Sequence, residues 1–272
     1  ARLVAGEQAT LDAVEAVRVQ LGLDQPIHIQ YLKYVGGLLR GDLGMSLRTK
    51  RPVLTEVAAR YGNTMALTLA SLIWSTIVGV ILGVWSGKNR GKWQDFSGMT
   101  LAVSGISLPN FWIGFLLIML FSVKLRWFPT TGTGSWKNLV LPAIALGTSI
   151  AAIIARFTRS SIVEVLKEDY IRTARAKGLR EKTVTWGHAF RNSMISVVTV
   201  VGLQFGFLLG GSVVTEAVFA YPGLGQLLVE SVNYRDYPAI QSLILIFSLQ
   251  FIIINLIVDI LYAILNPEIK LS

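Results

Sequence analysis

Five long apolar stretches occupy the chain after its first quarter, and polar segments separate them. They cover residues 64–86, 97–123, 138–155, 192–215 and 237–258, and the last continues past Asp259 to residue 265. Roughly 17–25 apolar residues cross a bilayer as a helix, so each stretch is long enough for one span. Pro109 interrupts the second stretch. The pattern predicts an all-α polytopic membrane protein with five spans.

Composition agrees with this class. Of 272 residues, 53% are hydrophobic and only 15% are charged, whereas soluble domains carry about a quarter charged residues. The net charge of +9 is concentrated beside apolar stretches, which indicates membrane orientation rather than nucleic-acid binding. The chain has no cysteine, which excludes disulfides, thiolate catalysis and Cys-ligated metals.

One long polar interval, residues 156–192, separates the third and fourth stretches. It holds nine basic residues, Arg156, Arg159, Lys167, Arg172, Arg175, Lys177, Arg180, Lys182 and Arg191. Four acids accompany them: Glu164, Glu168, Asp169 and Glu181. An excess of Lys and Arg beside spans predicts a cytoplasmic loop.

The other loops give the remaining orientation. The short segment 87–96 is basic and is predicted to be cytoplasmic, whereas 216–236 has Arg235 as its one base and is predicted to be extracytoplasmic. Residues 124–137 are one span away from the cytoplasmic segment 87–96 and should therefore be extracytoplasmic. Their three bases, Lys124, Arg126 and Lys137, weakly favour the cytoplasm instead. The tail, 266–272, then ends in the cytoplasm, and five spans place residue 1 outside.

Small residues recur every four positions in three spans. The sets are Ser71, Ser75, Gly79, Gly83 and Gly87; Ala143, Gly147, Ala151 and Ala155; and Gly202, Gly206 and Gly210. Small residues let helices approach closely in lipid. We therefore expect these three spans to form the bundle core, with the third set near a pore, and the last span to face lipid.

Few residues in the sequence could support catalysis or metal binding. His28 and His188 are predicted to lie on opposite membrane faces, so they cannot share a metal. No Gly-x-x-x-x-Gly-Lys-Ser/Thr loop is present, so any ATP hydrolysis is expected in a partner. Asp259 is the one acid within an apolar run, and it is expected to pair with a base such as Arg156 or to relay protons.

Residues 168–178, followed by Arg191 and Asn192, resemble the cytoplasmic coupling loop of ATP-binding-cassette (ABC) importer permeases. The resemblance is to the dipeptide/oligopeptide/nickel branch, and within it to dipeptide and glutathione permeases. The general motif is Glu-Ala-Ala, three residues and Gly; here Arg172, Thr173 and Ala174 precede Gly178. The peptide branch usually shows this Arg-Thr-Ala variant. A second departure is Ser196, where the branch usually has proline.

The resemblance implies a type I ABC importer transmembrane domain over 64–265, with its coupling loop at 156–192. It implies that ATPase contact is made by Glu168, Asp169, Tyr170, Arg172, Thr173, Ala174, Arg175, Lys177 and Gly178. Expected partners are a second related permease, two ATPase subunits, an extracytoplasmic binding protein and membrane lipid. Neither a cofactor nor a metal is implied. Such permeases have six spans, so a first span is expected upstream of Ala1.

The loop 216–236 resembles the loop before the last span in peptide-branch permeases. The resemblance implies a role at the outer mouth for Glu216, Tyr221, Pro222, Gly223 and Gly225. A turn at 221–225 followed by a short helix over 226–232 is predicted. A turn without partner contact is the alternative.

Residues 1–63 form an extracytoplasmic amphipathic segment. Thr10, Pro26 and Pro52 mark the starts of three short helices, the third reaching Tyr61. We expect them to pack on the membrane surface; direct contact with a binding protein is the alternative.

The predicted function is an inner-membrane permease subunit of an ATP-driven importer for dipeptides, oligopeptides or glutathione. A nickel-chelate permease is one alternative, and a proton-coupled secondary transporter using Asp259 is another. An intramembrane enzyme is disfavoured because no catalytic set can be assembled.

Overall fold

The chain is helical almost throughout in a computed structural model that describes Arg2 and residues 9–20 and 22–265. The predicted tail lies outside the described residues. The helices are α1 (Leu11–Gln20), α2 (Ile27–Leu38), α3 (Val53–Lys88), α4 (Trp93–Ser107), α5 (Asn110–Leu117), α6 (Lys137–Val165), α7 (Asp169–Ala176), α8 (Glu181–Thr183), α9 (Phe190–Val218), α10 (Leu224–Asn233) and α11 (Tyr237–Leu265). Two π-helical segments, Ile118–Lys124 and Val184–Ala189, follow α5 and α8.

Among the described residues, four helices are long and apolar enough to cross a membrane: α3, α6, the Ser196–Val218 part of α9 and the Tyr237–Ile260 part of α11. A fifth span results if α4 and the segment Asn110–Lys124 are taken together, although they are bent by 101°. Leu108, between them, is extended, and Pro109 has no N–H to continue the helical hydrogen bonds. The all-α polytopic fold is therefore confirmed, with its second span sharply broken.

The third short helix predicted before the first span is not separate. Pro52 is followed by one continuous helix of 36 residues, because no residue after it breaks the helical pattern. Val53, Val57 and Thr64 are buried along one face, where Val53 and Val57 pack with Leu224 and Leu243. The boundary expected at residue 63 therefore falls inside α3.

Two of the small-residue sets bring α3 and α6 into close contact. A Cβ on Gly79 would lie 2.7 Å from the carbonyl oxygen of Ala151, and one on Gly147 would lie 2.7 Å from Nε1 of Trp74. Helix α6 is the most enclosed span, with 61% of its apolar window buried, against 22% for α11. The predicted close packing of α3 with α6 and the greater exposure of the last span are therefore found, whereas α9, predicted to be a third core span, has only 28% of its window buried.

The third set packs α9 against α11. A Cβ on Gly202 would lie 2.6 Å from Cγ1 of Val258, and one on Gly206 would lie 3.0 Å from the ring of Phe251. Gly210 has no atom within 4 Å of such a Cβ and is exposed. Gly202 and Gly206 therefore let α9 approach the last span closely. Gly210 makes no such contact within the described chain.

A bidentate ion pair joins α4 to α6. Arg159 donates from Nε to Oδ1 of Asp95 at 2.6 Å and from Nη2 to Oδ2 at 2.7 Å. Oδ1 of Asp95 also accepts from Ser86 Oγ, and Oδ2 accepts from the Gly91 N–H at 3.0 Å. Asp95 is buried, so removal of either partner would leave an uncompensated charge. The pair fixes the α3–α4 hairpin against α6.

Candidate functional site

The predicted coupling residues and the predicted outer-mouth residues lie at opposite ends of the bundle. The first region, the α7 segment, consists of residues 166–192, from the end of α6 into the first turn of α9. The second, the Glu216 cluster, consists of residues 216–226, from the end of α9 into the first turn of α10. Since α9 is a single helix of 29 residues and each residue adds about 1.5 Å, the two regions are separated by about 40 Å.

Helix α7 folds back onto its own flanking segments. Ile171 and Ala174, three residues apart, are buried and pack with Val184, Ala189 and the end of α6. The other face carries Arg172, Thr173 and Arg175, which are exposed. The helix is therefore held by a small apolar contact and presents a polar, basic surface.

Gly178 ends this helix in the left-handed conformation, as predicted. Its φ is +77°, a region that glycine adopts without steric cost. Its N–H donates to the Arg175 carbonyl at 2.9 Å, and the Leu179 N–H donates to the Ala174 carbonyl at 3.3 Å. This pair of hydrogen bonds is the Schellman arrangement, which satisfies carbonyls that the helix end leaves free.

Side chains tie α7 to the start of α9. Asn192 donates from Nδ2 to the Tyr170 hydroxyl at 2.5 Å, which links the Arg-Asn pair to the motif before it. Arg175 donates from Nε to Oε1 of Glu181 at 2.7 Å. Glu168 is the residue before the first turn, where Asp169 lies, and a negative charge there stabilises the helix. The structure therefore brings the predicted coupling residues together on one short element, with Lys177 exposed at its end.

The apolar residues at the start of this region are partly covered by the chain itself. The helical spacing of Ile162, Val163, Leu166, Tyr170 and Ala174 predicts a stripe that needs a partner surface. Ile162 is fully buried beneath Gly87, Ala174 lies in the contact described above, and the flanking Leu166 packs there too. Helix α6 continues to Val165, so residues 156–165 are helix rather than loop. Val163 is only partly buried and Tyr170 is exposed, so the need for a partner surface is wrong for the buried members and stays a prediction for these two.

The Glu216 cluster is built around one fully buried carboxylate. Oε1 of Glu216 accepts from Thr64 Oγ1 at 2.8 Å, and Oε2 accepts from the N–H groups of Gly225 at 2.7 Å and Gln226 at 3.2 Å. Those N–H groups belong to the first turn of α10, where they lack partners within the helix. Thr64 in turn accepts from the Leu224 N–H at 2.8 Å. A negative charge on this helix end also complements the helix dipole.

The two glycines are required by close packing. A Cβ on Gly223 would overlap the Glu216 carboxylate, and one on Gly225 would overlap Cα of Val213. Neither glycine has a positive φ, so space rather than backbone conformation selects them. The predicted turn and short helix are confirmed, with the helix running over Leu224–Asn233.

The remaining residues of this cluster close the end of the bundle. Asn63 donates to the Pro222 carbonyl at 2.8 Å, which fixes the turn to α3. Tyr221 is buried in the same apolar cluster as Phe219, and Phe128 packs against that cluster. Burial, and to a smaller extent the Glu216 charge, raise the pKa of the Tyr221 phenol. The Tyr221 hydroxyl is therefore neutral at physiological pH.

Sequence reasoning missed a second carboxylate at this end. Asp236 is buried and accepts from Ser46 Oγ at 2.5 Å and from the N–H groups of Leu47 at 3.0 Å and Arg48 at 3.3 Å. These contacts hold the segment before α3 on the α10–α11 turn. They join residues about 190 positions apart, and no local pattern predicts such a pairing.

Asp259 does not form the expected pair with Arg156. Both side chains are exposed, and the ion pairs within the described residues involve neither of them. Among the described residues, no group of three His, Asp or Glu side chains could hold a metal ion.

The arrangement of spans is that of an ABC importer permease. The methionine ABC transporter MetNI, solved in inward-facing conformations, matches with a TM-score of 0.67 over 77% of this chain and 96% of the other, at 18% identity. An amino acid ABC transporter crystallised with histidines matches with a TM-score of 0.60 over 76% and 93%, at 13% identity. At such identities the likeness establishes the fold alone.

The sequence gives the family. Residues 79–271 match the model described as "Binding-protein-dependent transport system inner membrane component", and residues 1–68 match its N-terminal counterpart. The chain belongs to this family and is an ABC importer permease subunit, a multi-pass membrane protein. The family implies an ATPase and a substrate-binding protein as partners.

Curated relatives lie in the predicted branch. The glutathione transport system permease protein GsiC of Escherichia coli (strain K12) is 54% identical over 270 residues, which cover 99% of this chain and 88% of the relative. The proteins of the same name from Salmonella paratyphi A and Salmonella typhi are equally similar over the same length. The resemblance of residues 168–178 to the coupling loop of peptide-branch permeases therefore identified the correct family.

Proposed function

We propose that this permease carries short peptides, with glutathione as the specific substrate, across the inner membrane when ATP is hydrolysed by a partner. The observation that carries the proposal is the 54% identity with glutathione permeases over nearly the whole chain. The match includes both regions described above. Nothing in the described residues favours the nickel-chelate or proton-coupled alternatives, and Asp259 lies exposed on the least enclosed span.

The proposed assembly has two related permeases, two cytoplasmic ATPase subunits and one extracytoplasmic binding protein. In it, the α7 segment and the C-terminus lie in the cytoplasm, and the Glu216 cluster lies outside. The basic excess of residues 156–192 supports this orientation. Exposed tryptophans near both ends of the spans, Trp93 at one and Trp127 and Trp136 at the other, are typical of the two membrane interfaces.

Helix α7 is the proposed contact with the ATPase. Its exposed face holds Tyr170, Arg172, Thr173 and Lys177 on a short helix fixed by Gly178 and by the Asn192 to Tyr170 hydrogen bond. ATP can favour one permease conformation only through contacts that differ between conformations. A helix packed against α6 and α9 together can transmit such a bias to both spans.

The Glu216 cluster is proposed to close the outer mouth. Glu216 connects α3, α9 and α10 through one carboxylate, so these helices must move together or break buried hydrogen bonds. Gly202 and Gly206 are proposed to let α9 slide on α11, and Gly210, which is exposed, to face the pore or the second permease.

Uptake by the reconstituted complex tests the proposal. We expect proteoliposomes that contain the permease pair and ATPases to accumulate labelled glutathione. ATP is enclosed in the lumen, which the ATPases face, and the binding protein is added outside. A proton gradient without ATP should give no uptake. Accumulation driven by the gradient alone would contradict the ATP-driven mechanism, and ATP-driven uptake of dipeptides but not glutathione would correct the substrate.

A further inference from the structure

A cationic pocket lies at the same end of the bundle as the Glu216 cluster, outside the contacts described so far. It has a volume of about 320 Å³ and is lined by residues just before and within the first turns of α3, among them Arg48, Arg51, Thr55, Glu56 and Arg60. The volume is enough for an acidic side chain with its hydration. Three arginines and one acid, Glu56, are among the lining residues.

The wall of this pocket is held rigidly before any partner arrives. Asp236 fixes the backbone at Leu47 and Arg48, and Met45 pairs with Pro52 in an isolated antiparallel bridge. On the reverse side of α3, Val53 is buried in an apolar cluster. A pre-organised site of this kind binds without the entropic cost of ordering a loop.

The charges of the pocket are only partly neutralised within the chain. Oε2 of Glu230, on α10, lies 3.0 Å from Nη2 of Arg48 and 3.6 Å from Nη2 of Arg60. One carboxylate oxygen is therefore shared by two guanidinium groups. Nη1 of Arg60 is removed from solvent and has no hydrogen-bond partner among the described residues. A buried charged donor without an acceptor is costly.

Arg51 is the free arginine of the pocket wall. Its side chain is exposed, and the ion pairs and side-chain hydrogen bonds of the described residues do not include it. Its backbone alone supports the fold, since the carbonyl accepts from the Ser46 N–H at 2.9 Å. A guanidinium in this state is suited to bidentate binding of an external carboxylate.

The position of the pocket favours a soluble protein over a lipid headgroup. Val53 precedes the start of the apolar stretch at Thr64 by about 16 Å along α3, at 1.5 Å per residue. The headgroup layer on each side of a bilayer is only about 5–8 Å thick. Arg48 and Arg51 therefore lie beyond the reach of most lipid phosphates when α3 stands along the membrane normal.

We propose that the cationic pocket receives an acidic side chain of the substrate-binding protein and so places that protein over the outer mouth. The inference rests on the proposed function, which puts this end outside the cell. Glu230 connects the pocket to α10, the helix whose first turn Glu216 holds. An incoming carboxylate at Arg51 would lie beside the guanidinium groups of Arg48 and Arg60 that share Glu230.

The test uses the complete transporter in lipid nanodiscs, titrated with its purified binding protein, both unloaded and loaded with glutathione. Arg51→Glu is expected to raise the dissociation constant at least about 10-fold, since like charges across an interface repel strongly. Arg51→Lys keeps the charge but loses the bidentate geometry, so its dissociation constant should lie between those of the unchanged protein and Arg51→Glu. Lys124→Glu, an equal charge change at an exposed position of the same end, is the control and should have little effect.

Three results would overturn the proposal. One is equal binding by Arg51→Glu and the unchanged protein. Another is a loss in Lys124→Glu as large as in Arg51→Glu, which would indicate general attraction rather than a pocket. The third is an Arg51→Glu effect seen only as a changed dependence of basal ATPase activity on phosphatidylglycerol, which would assign the pocket to lipid. Docking is measured as a dissociation constant and does not depend on transport. Failure of glutathione uptake would therefore contradict the proposed substrate, but it would not contradict the docking site.

Discussion

Replacing Glu216 with alanine is expected to abolish most glutathione uptake while the chain still inserts into the membrane. The substitution removes the acceptor of two N–H groups in the first turn of α10 and of the Thr64 hydroxyl. Each buried polar group left unpaired costs about 1–3 kcal/mol, so α10 should detach from α3 and α9. We expect uptake in proteoliposomes to fall at least about 10-fold, because two such losses exceed the 1.4 kcal/mol that corresponds to that factor.

Two further variants separate the carboxylate from its surroundings. Glu216→Gln keeps an oxygen for Gly225 and Gln226, and its amide can donate to Thr64 Oγ1, so an intermediate loss is expected. Thr215→Val changes the neighbouring residue, which is buried with a hydroxyl that has no partner among the described residues. It should leave uptake unchanged. Full uptake by Glu216→Ala, or equal losses in Glu216→Ala and Thr215→Val, would refute the role given to this carboxylate.

Gly178→Val is expected to uncouple ATP hydrolysis from uptake. A Cβ at this position would meet no neighbouring atom within 4 Å, so the effect comes from the backbone alone. A β-branched residue at φ +77° costs about 1–3 kcal/mol, which favours a different end to α7 and displaces its exposed face. We expect uptake per ATP hydrolysed to fall about 10-fold or more, consistent with that cost, while membrane insertion is retained.

Asparagine is the matched control at this position. It tolerates the left-handed conformation far better than valine, so Gly178→Asn should retain most of the coupling. Simultaneous measurement of uptake and phosphate release on the same proteoliposomes gives the ratio directly. If the valine variant keeps the ratio of the unchanged protein, then Gly178 has no part in coupling.

The sequence predicts those parts of the molecule that depend on neighbouring residues. Gly178 ends α7 in the left-handed conformation, because the terminal hydrogen bonds are local and only glycine adopts that conformation freely. The turn before α10 is also signalled locally, by Pro222, Gly223 and Gly225, although close packing rather than a left-handed backbone requires these glycines. The contact of α3 with α6 follows from small residues that recur at the period of one helical face.

The remaining features depend on residues far apart in the sequence. The pair of Asp95 with Arg159 and the contacts of Asp236 with the segment before α3 join elements that sequence spacing does not relate. The polar residues between Pro52 and Thr64 suggest a separate surface helix, yet the backbone hydrogen bonds continue through them because no residue interrupts the pattern. The expected Asp259 pair failed because both candidates project from exposed surfaces.

We propose that α7 is the contact between this permease and a cytoplasmic ATPase, and a single cysteine tests that contact directly. The chain has no cysteine of its own, and Lys177 is exposed at the end of α7. Lys177→Cys should crosslink to the ATPase subunit in native membranes, at a cysteine placed on the ATPase surface, and should resist membrane-impermeant thiol reagents added to sealed cells. Labelling of Lys177→Cys from outside, or crosslinking to the binding protein instead, would contradict both the orientation and the coupling role.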